Sequence, residues 1–296
     1  MTDQMQYITL ASRPTGAPTP GNFAFETAPI PDPAVGEVLV RVHYMSLDPY
    51  MRGRMDAGKS YTAATQLGET MGGGGVGEVS ASNAEGWSGG EVALGMFGWA
   101  SHAVQPAKAL RKLDPNVAPL TATLGVLGMP GFTGWHGLME YGRPKAGETL
   151  VVAAATGPVG SMVGQLAKSL GLRAVGIAGG ADKCALALDT FGFDACLDHR
   201  AYPDAKSLRA ALSDACPNGI DIYFENVGGN HLSEQGFIIS DFFHRLPEFI
   251  QDVAPKVLNG QIKYIEDIAE GLENAPDAFI GLLEGKNLGK LIVKLV

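Results

Sequence analysis

The chain has 296 residues, 46% of them hydrophobic and 18% charged, with a formal net charge of −9. This is a globular composition with room for two domains of roughly 100–200 residues each. Its basic residues never cluster, which excludes a phosphate-tracking nucleic-acid surface, and no apolar run approaches the roughly 18 residues of a membrane span.

The opening "MTDQMQYITLASRP" lacks the basic and apolar regions of a secretory signal, so a cytoplasmic location is the expectation. Cys184, Cys196 and Cys216 are too few and too widely spaced for a disulfide framework or a C-x-x-C metal knuckle. They read as small buried hydrophobes in a reducing compartment.

Up to about residue 120 the chain reads as β-rich. "GEVLVRVHYMSL" alternates apolar and polar residues as a half-buried strand does, and "GGGGVGEVSAS", "EVALGMFGW" and "SHAVQP" are short strands with Gly, Pro or Asn punctuation. Such a series predicts a small barrel-like domain. "GGGG" (Gly72 to Gly75) leads into a strand rather than a helix, so it lacks the helix start that makes an anion site and reads as a place where side chains would collide.

Beyond that point strands and helices alternate: "ETLVVAAA", a helix through Leu170, "LRAVGIAG", "ADKCALALDTFG", "FDACLD", "SLRAALSDAC" and "GIDIYFENVGG". This order predicts a parallel sheet with crossover helices on both faces. "GFIISDFFHRLPEFIQDVAPKVLNG" reads as one more strand and a helix, and the tail as a helix, a turn and a terminal strand able to return to the barrel. One junction is odd. Only "GGNHLSEQ" separates "YFENV" from "GFII", whereas a parallel crossover needs at least about 10–12 residues. Either the two strands are not parallel neighbours, or a crossover segment is missing between Gly229 and Gly236; the second is the favoured reading.

"VVAAATGPVGSMVGQLAKSLG" (151–171) is a β-branched run, a glycine turn and a helical pattern, the setting in which a pyrophosphate rests on a helix start. The usual G-x-G-x-x-G would place glycine at Ala155. Gly157 permits close approach of a phosphate, Gly160 permits close helix–strand packing, and Ala155 serves if its φ stays negative. An NAD site usually holds an acid about 20 residues on, for the ribose hydroxyl. Here "GIAGGADKC" has none at the strand end, while Lys183 invites an anion such as a 2′-phosphate. The cofactor read from the residues is therefore NADPH.

No G-x-S-x-G is present, the histidines are scattered and the barrel half has no cysteine, so no metal is expected. Hydride chemistry without a metal needs another electrophile for the developing oxyanion, and Tyr7, Tyr44, Tyr50 and Tyr61 are the phenols of the first half.

Five segments in order, "YMSLDPYMRGRM", "GMPGFTGWHGL", "AAATGPVGSMVGQLAK", "YFENVGG" and "ENAPDAFIGLLEGKNLGKLIV", resemble the zinc-independent medium-chain dehydrogenase/reductase family. The likeness is to its prostaglandin reductase/leukotriene dehydrogenase and alkenal double-bond reductase group, the bacterial NADPH-dependent curcumin reductase branch above all. The resemblance implies a GroES-like β-barrel domain over 1–124, a Rossmann doubly wound parallel sheet over 125–260 and a return to the first domain over 261–296. It implies reduction of the C=C bond of α,β-unsaturated ketones or aldehydes by NADPH in a homodimer. Quinone reduction and NADPH binding without turnover are the alternatives.

By the same resemblance Gly157, Pro158, Val159 and Gly160 line the pyrophosphate and Lys183 meets the 2′-phosphate. Asn226, Phe237, Ile238, Ile239 and Asn287 touch the cofactor, and Tyr50 and Tyr61 line the substrate pocket, with the proton for the α-carbon coming from one of them or from water. His199 stands where relatives often have a cofactor-contacting tyrosine, and relatives carry several dozen more residues between "NVGG" and "GFII". The edge strand "GFIIS" is expected to support the dimer.

Overall fold

The computed structural model describes residues 4–58, 63–228 and 236–296. It forms two compact units. The first takes in the chain up to Leu124 with Glu266–Asn287 and Leu291–Val296; the second comprises Gly125–Ile265 and Leu288–Lys290.

In the first unit β1 (Gln4–Leu10) pairs antiparallel with β2 (Phe23–Pro29). A larger sheet is built on β3 (Glu37–Ser46), the alternating segment, whose valines 38, 40 and 42 are fully buried. After the short α1 (Tyr50–Arg54) come β4 (Gly75–Ser82), β5 (Val92–Gly95), β6 (His102–Pro106) and β7 (Arg111–Leu113). The crowding predicted for the glycine run is met at Gly73 and Gly75, where an added Cβ would lie 3.2 Å from Met51 and 3.0 Å from the Phe97 ring, but not at Gly74, whose nearest atom is 4.0 Å away; beyond the run, one on Gly77 would lie 2.1 Å from the Arg41 carbonyl.

In the second unit α2 (Met129–His136) runs on into a wider π-type turn, Gly137–Gly142. Then follow β8 (Thr149–Ala153), α3 (Pro158–Ser169), β9 (Arg173–Ala178), α4 (Ala181–Ala185), β10 (Ala195–Asp198), α5 (Ala205–Ala215), β11 (Ile222–Phe224) and α6 (Leu246–Leu258). Among the described residues the sheet is four-stranded, ordered β10-β9-β8-β11, with parallel pairs throughout. Strand order reverses between β8 and β11, the switch point beside which α/β folds bind ligands at the carboxyl ends of strands.

The tail supplies β12 (Glu266–Glu270), α7 (Ala275–Leu283) and β13 (Lys290–Lys294). In the first unit β12 and β13 extend the larger sheet to β12-β13-β3-β4-β5-β7, with β6 also on β3. Phe279 of α7 meets Trp99 edge-on, with ring centroids 5.5 Å apart, and Phe23 stacks on the same indole at 5.4 Å. The tail thus completes this unit's core. No helix among the described residues is long and apolar enough to cross a membrane.

The expected strand "GFII" does not form. Gly236–Ile238 are irregular and Ile239–Arg245 make a 3-10 turn before α6. A parallel neighbour of β11 needs a crossover that the short link cannot supply, and the aromatic side chains of this segment find another partner. Phe242 packs on buried His136 with centroids 4.2 Å apart, Phe237 stacks on Tyr141 at 5.1 Å, and Phe243 stacks on Phe132 at 6.1 Å. The edge strand on which the dimer expectation rested is therefore absent.

Helix α3 lies close to the sheet because of its glycines. A Cβ on Gly164 would stand 1.9 Å from the buried Phe193 ring. Gly164→Ala should cost about 1–3 kcal/mol by overpacking, lowering the urea midpoint. Gly53→Ala, where an added Cβ meets nothing within 4 Å, should leave the midpoint unchanged or slightly raised. Equal midpoints for the two variants would refute this account of the packing.

Candidate functional site

The turn after β8 is built from three compensating features. Ala154 takes a left-handed conformation at φ 49°, and its carbonyl accepts the Gly157 N–H at 3.0 Å. Ala155 keeps a negative φ, since Arg143 and Ala154 are the only described non-glycine residues with positive values. Its fully buried methyl lies over Gly176 of β9, where an added Cβ would come within 2.7 Å. The alanine in place of the usual first glycine is thus accommodated by a glycine on the neighbouring strand.

Gly157 is the residue before α3, Pro158 opens the helix, and no side chain caps it. The first intrahelical bond runs from Ser161 N–H to the Gly157 carbonyl at 2.9 Å, so the earlier N–H groups, that of Pro158 being absent, have no intrahelical acceptor. Gly160 cannot carry a side chain here: its Cβ would stand 2.3 Å from the Ala154 carbonyl. An uncapped helix start over a bare glycine turn has the donor chemistry of a phosphate site, which fits the pyrophosphate of a dinucleotide.

The neighbouring strand ends complete the crevice. Gly179 and Gly180 follow β9, Gly180 at φ 109°, and Lys183 stands in the first turn of α4. Asp198 ends β10, beside Ala178 in register. Its carboxylate accepts the Gly180 N–H at 2.8 Å and the Arg200 N–H at 3.0 Å, and these bonds hold its pKa below the ordinary carboxylate value. His199 opens the following 3-10 turn, with its Nε2 2.9 Å from where a Gly179 Cβ would be. Asn226, beyond β11, donates from Nδ2 to the Ala153 carbonyl at 2.8 Å, which ties that strand end to the glycine turn.

The remaining predicted residues belong to other elements. Phe237 packs against α2 and its π-type turn, where a Cβ on Gly137 would meet both Phe237 and Phe224. Ile238 and Ile239 stand at the entry to the 3-10 turn, Ile238 being exposed. Asn287 belongs to the first unit, between α7 and β13. Tyr50 opens α1 in the same unit, half-buried, with the Arg54 guanidinium 4.9 Å over its ring. Tyr61 lies outside the described residues. Among the described residues no three His, Cys, Asp or Glu side chains gather to hold a metal ion.

Residues 6–113 match the family described as N-terminal domain of oxidoreductase, and residues 158–240 match the one described as zinc-binding dehydrogenase. The chain is 43% identical to the NADPH-dependent curcumin reductase of Escherichia coli (strain K12), over 97% of this chain and 95% of that protein. It belongs to the medium-chain dehydrogenase/reductase family. The NADP(+)-dependent 2-alkenal reductase of Nicotiana tabacum is 36% identical over 87% of each chain. Among solved structures, CurA from Vibrio vulnificus in complex with NADPH is 45% identical with a TM-score of 0.91, over 98% of this chain and 99% of that one. The alignment with the E. coli member of the family runs to 333 positions against the 296 residues here. The relative thus has residues with no counterpart in this chain.

The segment carrying Phe237 to Ile239 is held by an uncharged histidine. His136 is fully buried among aromatic rings, neither ring nitrogen has a hydrogen-bond partner among the described residues, and burial pushes its pKa below 6.5. A depressed folded value means stability present above pH of about 6.5 and lost as pH falls through the folded pKa. His136→Phe should therefore narrow the fall in Tm between about pH 7.5 and pH 5. Parallel Tm-versus-pH curves for wild type and variant would contradict this.

Proposed function

We propose that the chain is an NADPH-dependent reductase of the C=C bond of α,β-unsaturated ketones and aldehydes. The observation that carries this reading is the likeness, over nearly the whole chain, to relatives named for such chemistry, the curcumin and 2-alkenal reductases. The uncapped glycine turn before α3 supports it, because its donors and bare backbone suit a dinucleotide pyrophosphate.

When bound, NADPH supplies the hydride that reaches the β-carbon. Gly157, Pro158, Val159 and Gly160 receive the pyrophosphate. Lys183 and His199 face the 2′-phosphate end, and Asn226 holds the turn from the β11 side. Phe237, Ile238, Ile239 and Asn287 complete the cofactor contacts. Tyr50 and Tyr61 line the substrate pocket, where a phenol can donate to the enolate oxygen and pass a proton to the α-carbon. The substrate is a small apolar enone, since such clefts are mostly apolar with few polar anchors. All three cysteines are free, in keeping with a cytoplasmic location.

One observation favours a second reading, an NADPH-binding protein without turnover: among the described residues the parallel sheet has only four strands and ends at β11. A direct assay separates the readings. Reduction of an enone with NADPH, slower with NADH, and slower still on a quinone, is expected. Tight NADPH binding with no enone turnover would select the binding protein, and a faster quinone rate would select quinone reduction.

A homodimer is the proposed assembly. With "GFII" not a strand, its support is that β11 is an edge of the sheet among the described residues. Light scattering at micromolar concentration should give twice the 31.0 kDa chain mass; a monomer mass would overturn it.

A further inference from the structure

The carboxyl ends of β9 and β10 present a feature that the glycine motif does not include. At Gly179, the first residue after β9, an added Cβ would lie 2.9 Å from His199 Nε2, 3.0 Å from Arg200 Nε and 3.3 Å from Arg200 Cζ. An imidazole and a guanidinium thus converge on a backbone position kept bare by glycine. Both belong to the 3-10 turn that begins at His199, and Asp198 holds that turn in place. Its carboxylate bonds the N–H of Gly180 on one side and that of Arg200 on the other, so it clamps the β10 exit to the β9 exit.

The clamp matters for charge. A carboxylate at a strand end could accept the 2′-hydroxyl of an unphosphorylated ribose. The Asp198 oxygen Oδ1 instead takes both backbone donors. The neighbouring acid Asp182 and the cation Lys183 both stand in the first turn of α4. Around Gly179 the side chains nearest the space of the missing Cβ are therefore an imidazole and a guanidinium, the latter a planar fork of donors suited to phosphate.

We infer that Arg200 is a specificity-determining residue for the cofactor, its guanidinium taking the 2′-phosphate over Gly179 in concert with Lys183. The inference rests on the reading of NADPH as the hydride donor. A planar guanidinium can meet two phosphate oxygens at once, which an ammonium cannot do, and charge-assisted bonds of this kind are about twice as strong as neutral ones. The bare Gly179 is what lets the imidazole and the guanidinium come this close to the β9 exit, where the ribose end of a dinucleotide is expected.

Titration of wild type, Arg200→Ala, Arg200→Lys and Lys183→Ala with NADPH, NADH, 2′,5′-ADP and 5′-AMP tests it, with cofactor fluorescence for the first pair and calorimetry for the second. Arg200→Ala should weaken NADPH and 2′,5′-ADP by about tenfold to a hundredfold, the range for a lost charge-assisted hydrogen bond, and leave NADH and 5′-AMP unchanged. Lys183→Ala should show the same selectivity, and Arg200→Lys should recover only part of the loss. Unchanged NADPH binding in Arg200→Ala, or equal losses for NADPH and NADH, would overturn the role of Arg200 while leaving a wild-type preference for NADPH intact. A wild type that prefers NADH would overturn the underlying cofactor reading, and the inference with it. Circular dichroism of each variant keeps unfolding from passing as lost affinity.

Discussion

The second unit depends on how closely α3 approaches the sheet. Two positions on that helix admit no side chain: a Cβ at Gly160 would strike the Ala154 carbonyl, and one at Gly164 would strike the Phe193 ring. Because the helix sits this low, its uncapped start meets the carboxyl ends of β8 and β9, and the turn at 154–157 is pulled tight enough to give Ala154 a left-handed backbone. The same approach requires Gly176 on β9, which leaves space for the Ala155 methyl. The phosphate-site geometry is thus a packing result before it is a chemical one.

The short link after β11 is the counterweight. Without enough chain for another crossover, the parallel sheet stops at four strands among the described residues, and the aromatic segment from Phe237 to Phe249 packs on α2 instead. This part of the unit is held by ring contacts around a buried, uncharged histidine, an environment that disfavours charge. Among the described residues β8 has the parallel neighbours β9 and β10 on one side and β11 alone on the other. The two readings of function differ over that asymmetry.

At the β9 and β10 exits the polar groups divide their tasks. Oδ1 of Asp198 accepts two backbone N–H groups, while His199 and Arg200 are brought beside Gly179. The proposed discrimination between the two nicotinamide dinucleotides rests on what surrounds that one bare glycine.

Much of this was legible in residue order. Alternation in β3, the strand–helix rhythm beyond residue 120, the glycine turn at 157–160 and the position of Lys183 depend on local periodicity and on backbone freedom, which neighbours along the chain reveal. The family likeness extended the reading to chemistry. Three things needed the tertiary structure. The run "GFII" has the composition of a buried strand, yet a strand exists only if a neighbouring edge can be reached, and chain length denied it. Ala155 works in place of glycine because of Gly176, a partner on another strand that no motif includes. Arg200 escaped notice because its nearness to Gly179 arises from the parallel pairing of β9 with β10, which brings together residues some twenty positions apart; spacing along the chain carries no trace of it.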